Sequence, residues 1–225
     1  MKSHANALIL FARAPRLGRV KTRLHPDLDH ETICKLYRCF LDDGIDTLCS
    51  LREVDPFIGA YPPEQSGWFD EVAARRGIAV FAQEGEGLGE RMRNAFRDRF
   101  AEGYEKTMIV GSDSPSLPPA YIETAFRSSR DVVLGPSADG GYYLVGMNRR
   151  VTEIFDAVAW GSETVLEATL ERIKNTGATL ELLPLWYDVD TLADLRFLKT
   201  HLRLLAHGGG NHCRATGEFL TRLDL

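Results

Sequence analysis

Short apolar runs alternate with longer amphipathic segments along most of the chain. The run ANALILFA at residues 5–12 is followed by a turn-rich basic segment, which predicts a buried strand that ends in a loop. Between Glu31 and Leu51 the apolar residues recur at helical spacing, which predicts an amphipathic helix. The chain is therefore predicted to begin with a strand and a helix that packs on it.

The same alternation continues to residue 206. Further strands are predicted near residues 55–60, 78–82, 106–111, 131–135, 141–146 and 179–183, and further helices near 67–76, 88–101, 118–129, 162–175 and 191–206. Strands separated by helices pair in parallel, so the pattern predicts one α/β domain over residues 1–206 with a mostly parallel central sheet flanked by helices. Residues 207–225 are Gly-rich at their start and carry only a weak apolar face, so we expect a loosely docked C-terminal tail.

Composition and charge argue against several classes of function. The 225 residues include 27 basic and 32 acidic side chains, a formal net charge of −5, so no general attraction to nucleic acid or to an anionic membrane is expected. The longest apolar run near the start is too short for a membrane span or a signal-peptide core, and we expect a cytoplasmic protein. His201, His207, His212 and Cys213 surround a glycine-rich segment without fixed geometry, so zinc is not expected.

The loop after the first strand concentrates positive charge on an otherwise acidic protein. Five cations fall within eleven residues: Arg13, Arg16, Arg19, Lys21 and Arg23. Backbone N–H groups at a turn shaped by Gly18 can face a phosphate, and Lys21 or Arg23 can neutralise it, so the loop is expected to bind an anion. A solvated basic loop is the alternative. The segment matches neither a Walker A sequence nor a G-x-G-x-x-G fingerprint.

Carboxylates follow two later strands. Asp113 comes directly after the apolar run MIV at 108–110, where it can hold a hard cation or close an Asx turn. Asp188 and Asp190 alternate just before the last predicted helix, and capping that helix uses only one of them. Because ligands of an open parallel sheet bind at the carboxyl ends of its strands, one carboxylate of the pair is expected to join Asp113 in a Mg²⁺ or Mn²⁺ site.

Two glycine-rich segments complete the candidate site. Asp139 precedes two glycines, which indicates either a hairpin turn or close approach of the backbone to a ligand, with Asp139 contacting sugar or acceptor hydroxyls. Gly87 opens the helix that carries Arg91, and a flexible helix N-terminus suits contact with a base, ribose or phosphate. A surface ion pair of Arg91 with a nearby Glu is the alternative.

Five ordered segments resemble a known family, the bacterial glycosyltransferases of the arsenosugar-biosynthesis type, which are similar to 2-phospholactate guanylyltransferases. The segments are PRLGRVKTRL at 15–24, LGERM at 88–92, GSDSP at 111–115, GPSADGGYY at 135–143 and DVDT at 188–191. The resemblance spans most of residues 7–200 and implies a GT-A fold with a Rossmann-like sheet. It implies that Asp113 is a metal-binding carboxylate, and it favours Asp190 over Asp188 as the second. The run WGSET at 160–164 departs from the Trp-Ser-Thr run that the family leads us to expect.

Three functions are compatible with these residues. The first is a metal-dependent glycosyltransferase that acts on a nucleotide-diphospho-sugar and a small-molecule acceptor, with Lys21, Asp113 and Asp139 as catalytic residues. The second is a nucleotidyltransferase that joins an NTP to a phosphorylated small molecule and releases pyrophosphate. The third is a nucleotide-binding module without catalysis, which the fold alone does not exclude.

Overall fold

The computed structural model describes residues 2–65, 67–210 and 213–225. Within these residues, seven strands form one sheet. The strands are β1 Asn6–Arg13, β2 Val54–Tyr61, β3 Ala79–Ala82, β4 Lys106–Gly111, β5 Val132–Pro136, β6 Tyr142–Asn148 and β7 Leu180–Leu182. The helices are α1 His30–Ser50, α2 Gly67–Arg76, α3 Leu88–Ala101, α4 Pro119–Arg127, α5 Val165–Thr176, α6 Leu192–His207 and α7 Arg214–Arg222. The predicted α/β fold with flanking helices is confirmed, and the elements up to α6 lie where the hydrophobic pattern predicts them.

The sheet separates two apolar layers. Its strand order is β3-β2-β1-β4-β6-β5-β7, with β1 and β4 near the centre. Alternate residues of β1 point to opposite sides, so Leu8 and Leu10 pack with α1 while Ile9 and Phe11 pack with α3. This alternation on a strand buried on both faces accounts for the unbroken apolar run at the start of the chain.

One strand runs against the others. β6 pairs antiparallel with both β4 and β5, whereas the other recorded strand pairs are parallel. β5 and β6 form a hairpin because the turn at 137–141 is closed by Ser137 N donating to Gly141 O at 2.9 Å. Of the two interpretations of the Asp-Gly-Gly segment, the hairpin turn is therefore correct for the backbone. The turn leaves Asp139 at the same edge of the sheet as the carboxyl end of β4.

The C-terminal segment is docked, contrary to the loosely docked tail that its sequence suggests. α7 packs against α1 and α6, and Leu220 is buried in the core. The carboxylate of Asp43, which is 1% exposed in α1, accepts hydrogen bonds from Ala215 N and Thr216 N, both at 2.8 Å, and from Cys213 Sγ. These contacts stabilise α7 because they satisfy its first backbone N–H groups and place negative charge at its N-terminus. His212 lies outside the described residues.

Removing this buried carboxylate is expected to destabilise the protein. Asp43→Ala leaves the N–H groups of Ala215 and Thr216 without their acceptor, and the free energy of unfolding should fall by about 2–4 kcal/mol. Urea denaturation measures the change. Asp46→Ala is the control, because Asp46 lies one turn further along α1 and, within the described part of the chain, forms an ion pair only with the surface residue Arg76. Equal stability of the two variants would contradict the role of Asp43.

The carboxyl ends of β1, β2, β3 and β4 meet at one edge of the sheet, where the loops of interest begin.

No helix among the described residues is long and apolar enough to cross a lipid bilayer.

Candidate active site

A cleft of about 800 Å³ opens at this edge of the sheet. Most of the predicted site residues line it: Arg13, Lys21, Arg23, Arg91, Asp113, Asp139 and Asp190. Gly18 and Gly87 do not. The fold therefore brings the five segments that the sequence singled out into one concave site, although they are spread over residues 13–190.

The centre of the cleft is an ion-paired cluster around Lys21. Its Nζ contacts Asp113 Oδ1 and lies 3.0 Å from Asp190 Oδ1, and Asp190 Oδ2 also accepts from Arg23 Nη1 at 3.2 Å. The Lys21 side chain is 3% exposed, whereas Asp113 and Asp190 keep 47% and 32% of their side-chain surface open to solvent. The ammonium group is thus buried beneath two carboxylates that face the cleft.

Local backbone geometry fixes Lys21 in this position. Lys21 has a left-handed backbone with φ 46°, which is uncommon for a residue with a side chain, and a short 3₁₀ helix, Thr22–Leu24, follows it. Val20 and Leu24 on either side are buried in the core and anchor the loop. Burial opposes the charge on Lys21, but the attraction and hydrogen bonds of Asp113 and Asp190 outweigh it and raise the lysine pKa.

Asp188 belongs to the cluster but does not contact Lys21 directly. Its Oδ1 accepts a hydrogen bond from Ser114 Oγ, and Val189 N donates to Asp113 O at 2.9 Å, which ties the two carboxylate loops together. Burial, together with the nearby charges of Asp113 and Asp139, raises the pKa of Asp188 to about 6 against the opposing effect of the Ser114 hydrogen bond. The two carboxylates of this pair therefore have different partners. Asp190 contacts Lys21 and Arg23. Asp188 accepts a hydrogen bond from Ser114.

The raised pKa of Asp188 predicts a pH-dependent change in stability. Its folded-state pKa of about 6 lies above the ordinary value of 3.8, so the contribution of Asp188 to stability is lost as the pH rises between these values. Asp188→Asn keeps an acceptor for Ser114 and removes the charge. We expect the variant to be more stable than the wild type by about 2 kcal/mol at pH 7.5, with little difference at pH 4. Urea denaturation at both pH values, with a chelator present, measures this; the same increment at both would contradict it.

Asp139 lines the same cleft as the basic loop. Its Oδ1 accepts from Gly141 N at 3.0 Å, the Asx-type bond of a turn, while the residue stays exposed and lines the cleft. Close approach of a ligand, the other interpretation of this glycine segment, does not hold at Gly140. A Cβ at Gly140 would lie 2.4 Å from the backbone oxygen of Glu163, so the space is filled by the chain itself.

Gly18 and Gly89 also serve packing, whereas Gly87 does not. Gly18 has φ +68°, and a Cβ there would meet the His30 ring at 3.4 Å, so its role is to shape the turn beside α1. Gly87 is the N-cap of α3 and lies outside the cleft lining. The next glycine, Gly89, allows close approach of Trp160, whose Nε1 would lie 2.8 Å from an added Cβ. Gly89 is therefore covered by protein, whereas an added Cβ at Gly87 would meet open space, so contact of Gly87 with a ligand stays a prediction.

Tyr37 and Ser112 are site residues that the sequence did not reveal. The Tyr37 hydroxyl accepts from Arg13 N at 3.1 Å and shares a 2.9 Å hydrogen bond with Ser112 Oγ. Burial, followed by the charge of Asp113, raises the pKa of Tyr37 to about 12, so the phenol remains neutral. This buried pair joins the ends of β1 and β4. Tyr37 lies on the apolar stripe of α1, which is why its pattern indicated only a core residue.

Aromatic and basic side chains also line the cleft. The Arg91 guanidinium lies 4.1 Å from the centroid of the Tyr61 ring, and that of Arg13 lies 5.7 Å from it. Arg91 therefore has a cation–π contact, and among residues 2–65, 67–210 and 213–225 it does not form the surface ion pair that was the alternative. Trp160 and Glu163, from the run that departs from the expected Trp-Ser-Thr, line the cleft as well.

The family model described as "Uncharacterized protein conserved in bacteria (DUF2064)" matches residues 45–162, which is more than half of the chain. The chain belongs to this family. The matched part of the DUF2064 chain carries Tyr61, Arg91, Asp113 and Asp139, whereas Lys21 and Asp190 lie outside it.

Two similar proteins each match most of this chain. A phosphoenolpyruvate guanylyltransferase of Sphaerobacter thermophilus is 29% identical over 189 residues, which are 83% of this chain and 89% of that protein. A solved structure from Desulfovibrio desulfuricans G20, provisionally named a nucleotide-diphospho-sugar transferase, is 28% identical with a TM-score of 0.87 and covers 99% of this chain and 100% of its own. Both are named transferases, so the predicted resemblance and the predicted transferase class are confirmed.

More distant structures share the fold. The inositol-1-phosphate CTP transferase of T. maritima has a TM-score of 0.51 at 17% identity, covering 93% of this chain and 99% of its own. At this identity the likeness shows the architecture alone. The predicted fold of nucleotide-diphospho-sugar transferases is confirmed by the similarity to the Desulfovibrio desulfuricans structure.

Proposed function

We propose that this protein is a metal-dependent nucleotidyltransferase that joins an NTP to a phosphorylated small molecule and releases pyrophosphate. The observation that carries the proposal is the buried Lys21 ammonium between Asp113 and Asp190, at the base of a loop with four further cations. So much local positive charge on an acidic protein suits a triphosphate together with a phosphorylated acceptor. The similarity to a phosphoenolpyruvate guanylyltransferase favours this reaction over glycosyl transfer.

The donor set of the cluster fits a hard divalent cation. Asp113 and Asp190 present carboxylate oxygens to the same point, and Asp188 lies beside them. No group of three or more His, Cys, Asp or Glu side chains arranged for a metal occurs in the part of the chain that the structure describes. Mg²⁺ commonly takes one or two protein carboxylates and completes its shell with phosphate oxygens and water, so Asp113 and Asp190 suffice. Bound there, Mg²⁺ or Mn²⁺ would offset negative charge on the polyphosphate.

The chain's own residues then position the reacting groups. An oxygen of the acceptor phosphate attacks the α-phosphorus of the NTP, the bond from that phosphorus to the bridging oxygen breaks, and pyrophosphate leaves with the electron pair. Lys21 and Arg23 neutralise the charge that develops on the leaving pyrophosphate, as Arg13 does from the end of β1. The acceptor phosphate is already ionised, so the reaction requires no general base, and Asp139 is left to orient a substrate hydroxyl.

A conservative substitution tests this role of Asp139. Asp139→Asn retains an oxygen that can accept from Gly141 N, so the turn should persist, but the variant loses the negative charge that faces the cleft. We expect turnover to fall by about tenfold or more while nucleotide and metal affinity stay at the wild-type level. Calorimetric titration and initial rates measure the two effects. Loss of metal binding by a folded variant would instead place Asp139 among the metal ligands.

Product analysis separates the proposed reaction from glycosyl transfer. The protein is incubated with Mg²⁺ and either NTPs or nucleotide-diphospho-sugars, in the presence of phosphoenolpyruvate or 2-phospholactate as acceptor. Pyrophosphate release that requires both an NTP and an acceptor supports the proposal. Release of a nucleoside diphosphate from a sugar nucleotide, without pyrophosphate from any NTP, would replace it with the glycosyltransferase alternative.

A further inference from the structure

We propose that the Ser112 hydroxyl donates a hydrogen bond to a phosphate oxygen of the bound nucleotide, and that the buried Tyr37 holds this hydroxyl in the required orientation. The inference rests on the proposed function only in assuming that the cleft binds a nucleotide through its phosphates. It follows from the order of donors and acceptors at the Tyr37–Ser112 pair and from the position of this pair beside the Lys21 cluster.

The Tyr37 hydroxyl must donate its proton inside the protein. Tyr37 is 2% exposed, and its oxygen accepts from Arg13 N at 3.1 Å. Ser112 Oγ, at 2.9 Å, is the one other hydrogen-bonding partner of this oxygen in residues 2–65, 67–210 and 213–225. If Ser112 donated to Tyr37, the phenol proton would be buried without an acceptor, which is costly. Tyr37 therefore donates to Ser112.

The proton of Ser112 is then left for a ligand. A serine hydroxyl can accept a hydrogen bond through a lone pair and still donate its own proton. Ser112 Oγ forms no further hydrogen bond within the part of the chain that the structure describes. Ser112 is 8% exposed and lines the cleft. Its proton is therefore available to a molecule bound in the cleft.

The Tyr37–Ser112 pair lies beside the Lys21 cluster. Ser112 directly precedes Asp113, whose carboxylate contacts Lys21 Nζ. Burial, followed by the charge of Asp113, raises the pKa of Tyr37 to about 12, and the charge of Lys21 opposes this rise. Both charges thus act on the phenol. Arg13, whose backbone N–H binds Tyr37, lines the cleft as well. The free Ser112 proton therefore has a lysine and an arginine as neighbours, as is typical of a phosphate site.

An anionic oxygen makes the best use of this proton. A hydrogen bond to a charged oxygen is roughly twice as strong as one between neutral groups, so a phosphate oxygen is a better partner than a ribose hydroxyl. The Tyr37 donor occupies the serine lone pair that faces the core, which leaves Ser112 to act toward the cleft as a donor. Loss of one such bond should lower phosphate affinity by about tenfold.

Inorganic pyrophosphate and nucleoside diphosphates are the probes, because NTPs and sugar nucleotides share the diphosphate group. Calorimetric titration with Mg²⁺ compares the wild type with Ser112→Ala, using pyrophosphate and the tightest-binding of GDP, ADP, CDP and UDP. Ser112→Ala should bind both ligands about tenfold more weakly. Wild-type affinity of this variant for pyrophosphate, or no pyrophosphate binding by the wild type, would overturn the inference. Weaker binding of the nucleoside diphosphate alone would place Ser112 against the ribose or base instead.

Ser116→Ala is the matched control. Ser116, later in the same loop, also forms a 2.9 Å hydrogen bond with a tyrosine, Tyr187, but it is not part of the cleft lining. This variant should bind both ligands at wild-type affinity. Equal losses in Ser116→Ala and Ser112→Ala would assign the effect to loop packing and overturn the phosphate contact. Thermal melting verifies that each variant is folded.

Tyr37→Phe tests the positioning role. The variant keeps the ring in the core and removes the hydroxyl, so the Ser112 hydroxyl loses its fixed orientation. Pyrophosphate affinity should fall by about threefold to tenfold in the wild-type background. In the Ser112→Ala background the same change should cost less than about twofold, because the effect passes through Ser112. Additive losses would show that Tyr37 does not act through Ser112.

The outcomes for the two proposals are separable. Weaker pyrophosphate binding by Ser112→Ala, in a protein that releases no pyrophosphate from any NTP, would overturn only the proposed function. Pyrophosphate release by the wild type, with unchanged pyrophosphate affinity in Ser112→Ala, would overturn only the role of Ser112.

Discussion

Replacing Lys21 with methionine should raise the affinity of the nucleotide-free protein for Mn²⁺ and lower its affinity for nucleotide. The buried ammonium lies between the carboxylates of Asp113 and Asp190, so a cation that binds there must compete with a charge already present. Removing that charge should strengthen Mn²⁺ binding about tenfold or more. Nucleotide affinity should fall about tenfold or more, because a charge-assisted phosphate contact is worth roughly 1.5–3 kcal/mol.

Opposite signs of these two effects distinguish the proposed role of Lys21 from a purely structural one. If Lys21 only supported the loop, its replacement would lower the affinity for both Mn²⁺ and nucleotide. The fold should survive the change, because Asp113 and Asp190 are 47% and 32% exposed and remain solvated without their partner. In the native site, phosphate binding to Lys21 would free the carboxylates, so nucleotide and metal would each favour the binding of the other.

Manganese binding is measured by electron paramagnetic resonance of free Mn²⁺, and nucleotide binding by calorimetry. Arg23→Met is the matched control, since Arg23 contacts Asp190 alone among these carboxylates and its side chain is 64% exposed. We expect this variant to change Mn²⁺ affinity much less than Lys21→Met does. Unchanged or weaker Mn²⁺ binding by Lys21→Met would refute competition at this site.

The second large effect is expected at Asp113. Asp113→Asn retains the size of the side chain but removes the charge that faces both the cleft and Lys21. Nucleotide affinity should become independent of Mg²⁺, and turnover should fall by at least about a hundredfold, the scale of losing one preorganised electrostatic group. Titrations with Mg²⁺ and with chelator measure the first effect, and initial rates measure the second.

Asp98→Asn is the control for this substitution, because Asp98 is exposed on α3 and does not line the cleft. It should leave rate and metal dependence at the wild-type level. An Asp113→Asn variant that still binds nucleotide more tightly with Mg²⁺ than with chelator would remove Asp113 from the metal site.

The sequence predicted the elements well because each depends on local pattern. The apolar run at 5–12 became β1, and the helical spacing between Glu31 and Leu51 became α1. Ligands of an open parallel sheet bind at the carboxyl ends of its strands, and this rule predicted that Lys21, Asp113 and Asp139 lie close together. The structure places all three in one cleft. These inferences required only periodicity and the position of each loop relative to its strand.

The features that the sequence missed depend on pairs that lie far apart along the chain. In the sequence, Asp43 stands at a core position of α1. The hydrogen bonds that it accepts from Ala215 and Thr216, more than 170 residues further along the chain, show that it caps α7. Gly140 has the sequence of a substrate loop, but Glu163 fills the space beside it. Neither partner is visible in local pattern, because burial and close approach are properties of the folded chain.

The fate of the α-phosphate of the NTP tests the account most directly. The protein is incubated with Mg²⁺, phosphoenolpyruvate or 2-phospholactate, and an NTP that carries a radioactive label on either its α- or its γ-phosphate. Nucleotidyl transfer places the α-label in a new product that contains the acceptor and the γ-label in pyrophosphate. If both labels stay in the NTP while the labelled sugar of a sugar nucleotide passes to an acceptor, the protein is a glycosyltransferase and the account is wrong.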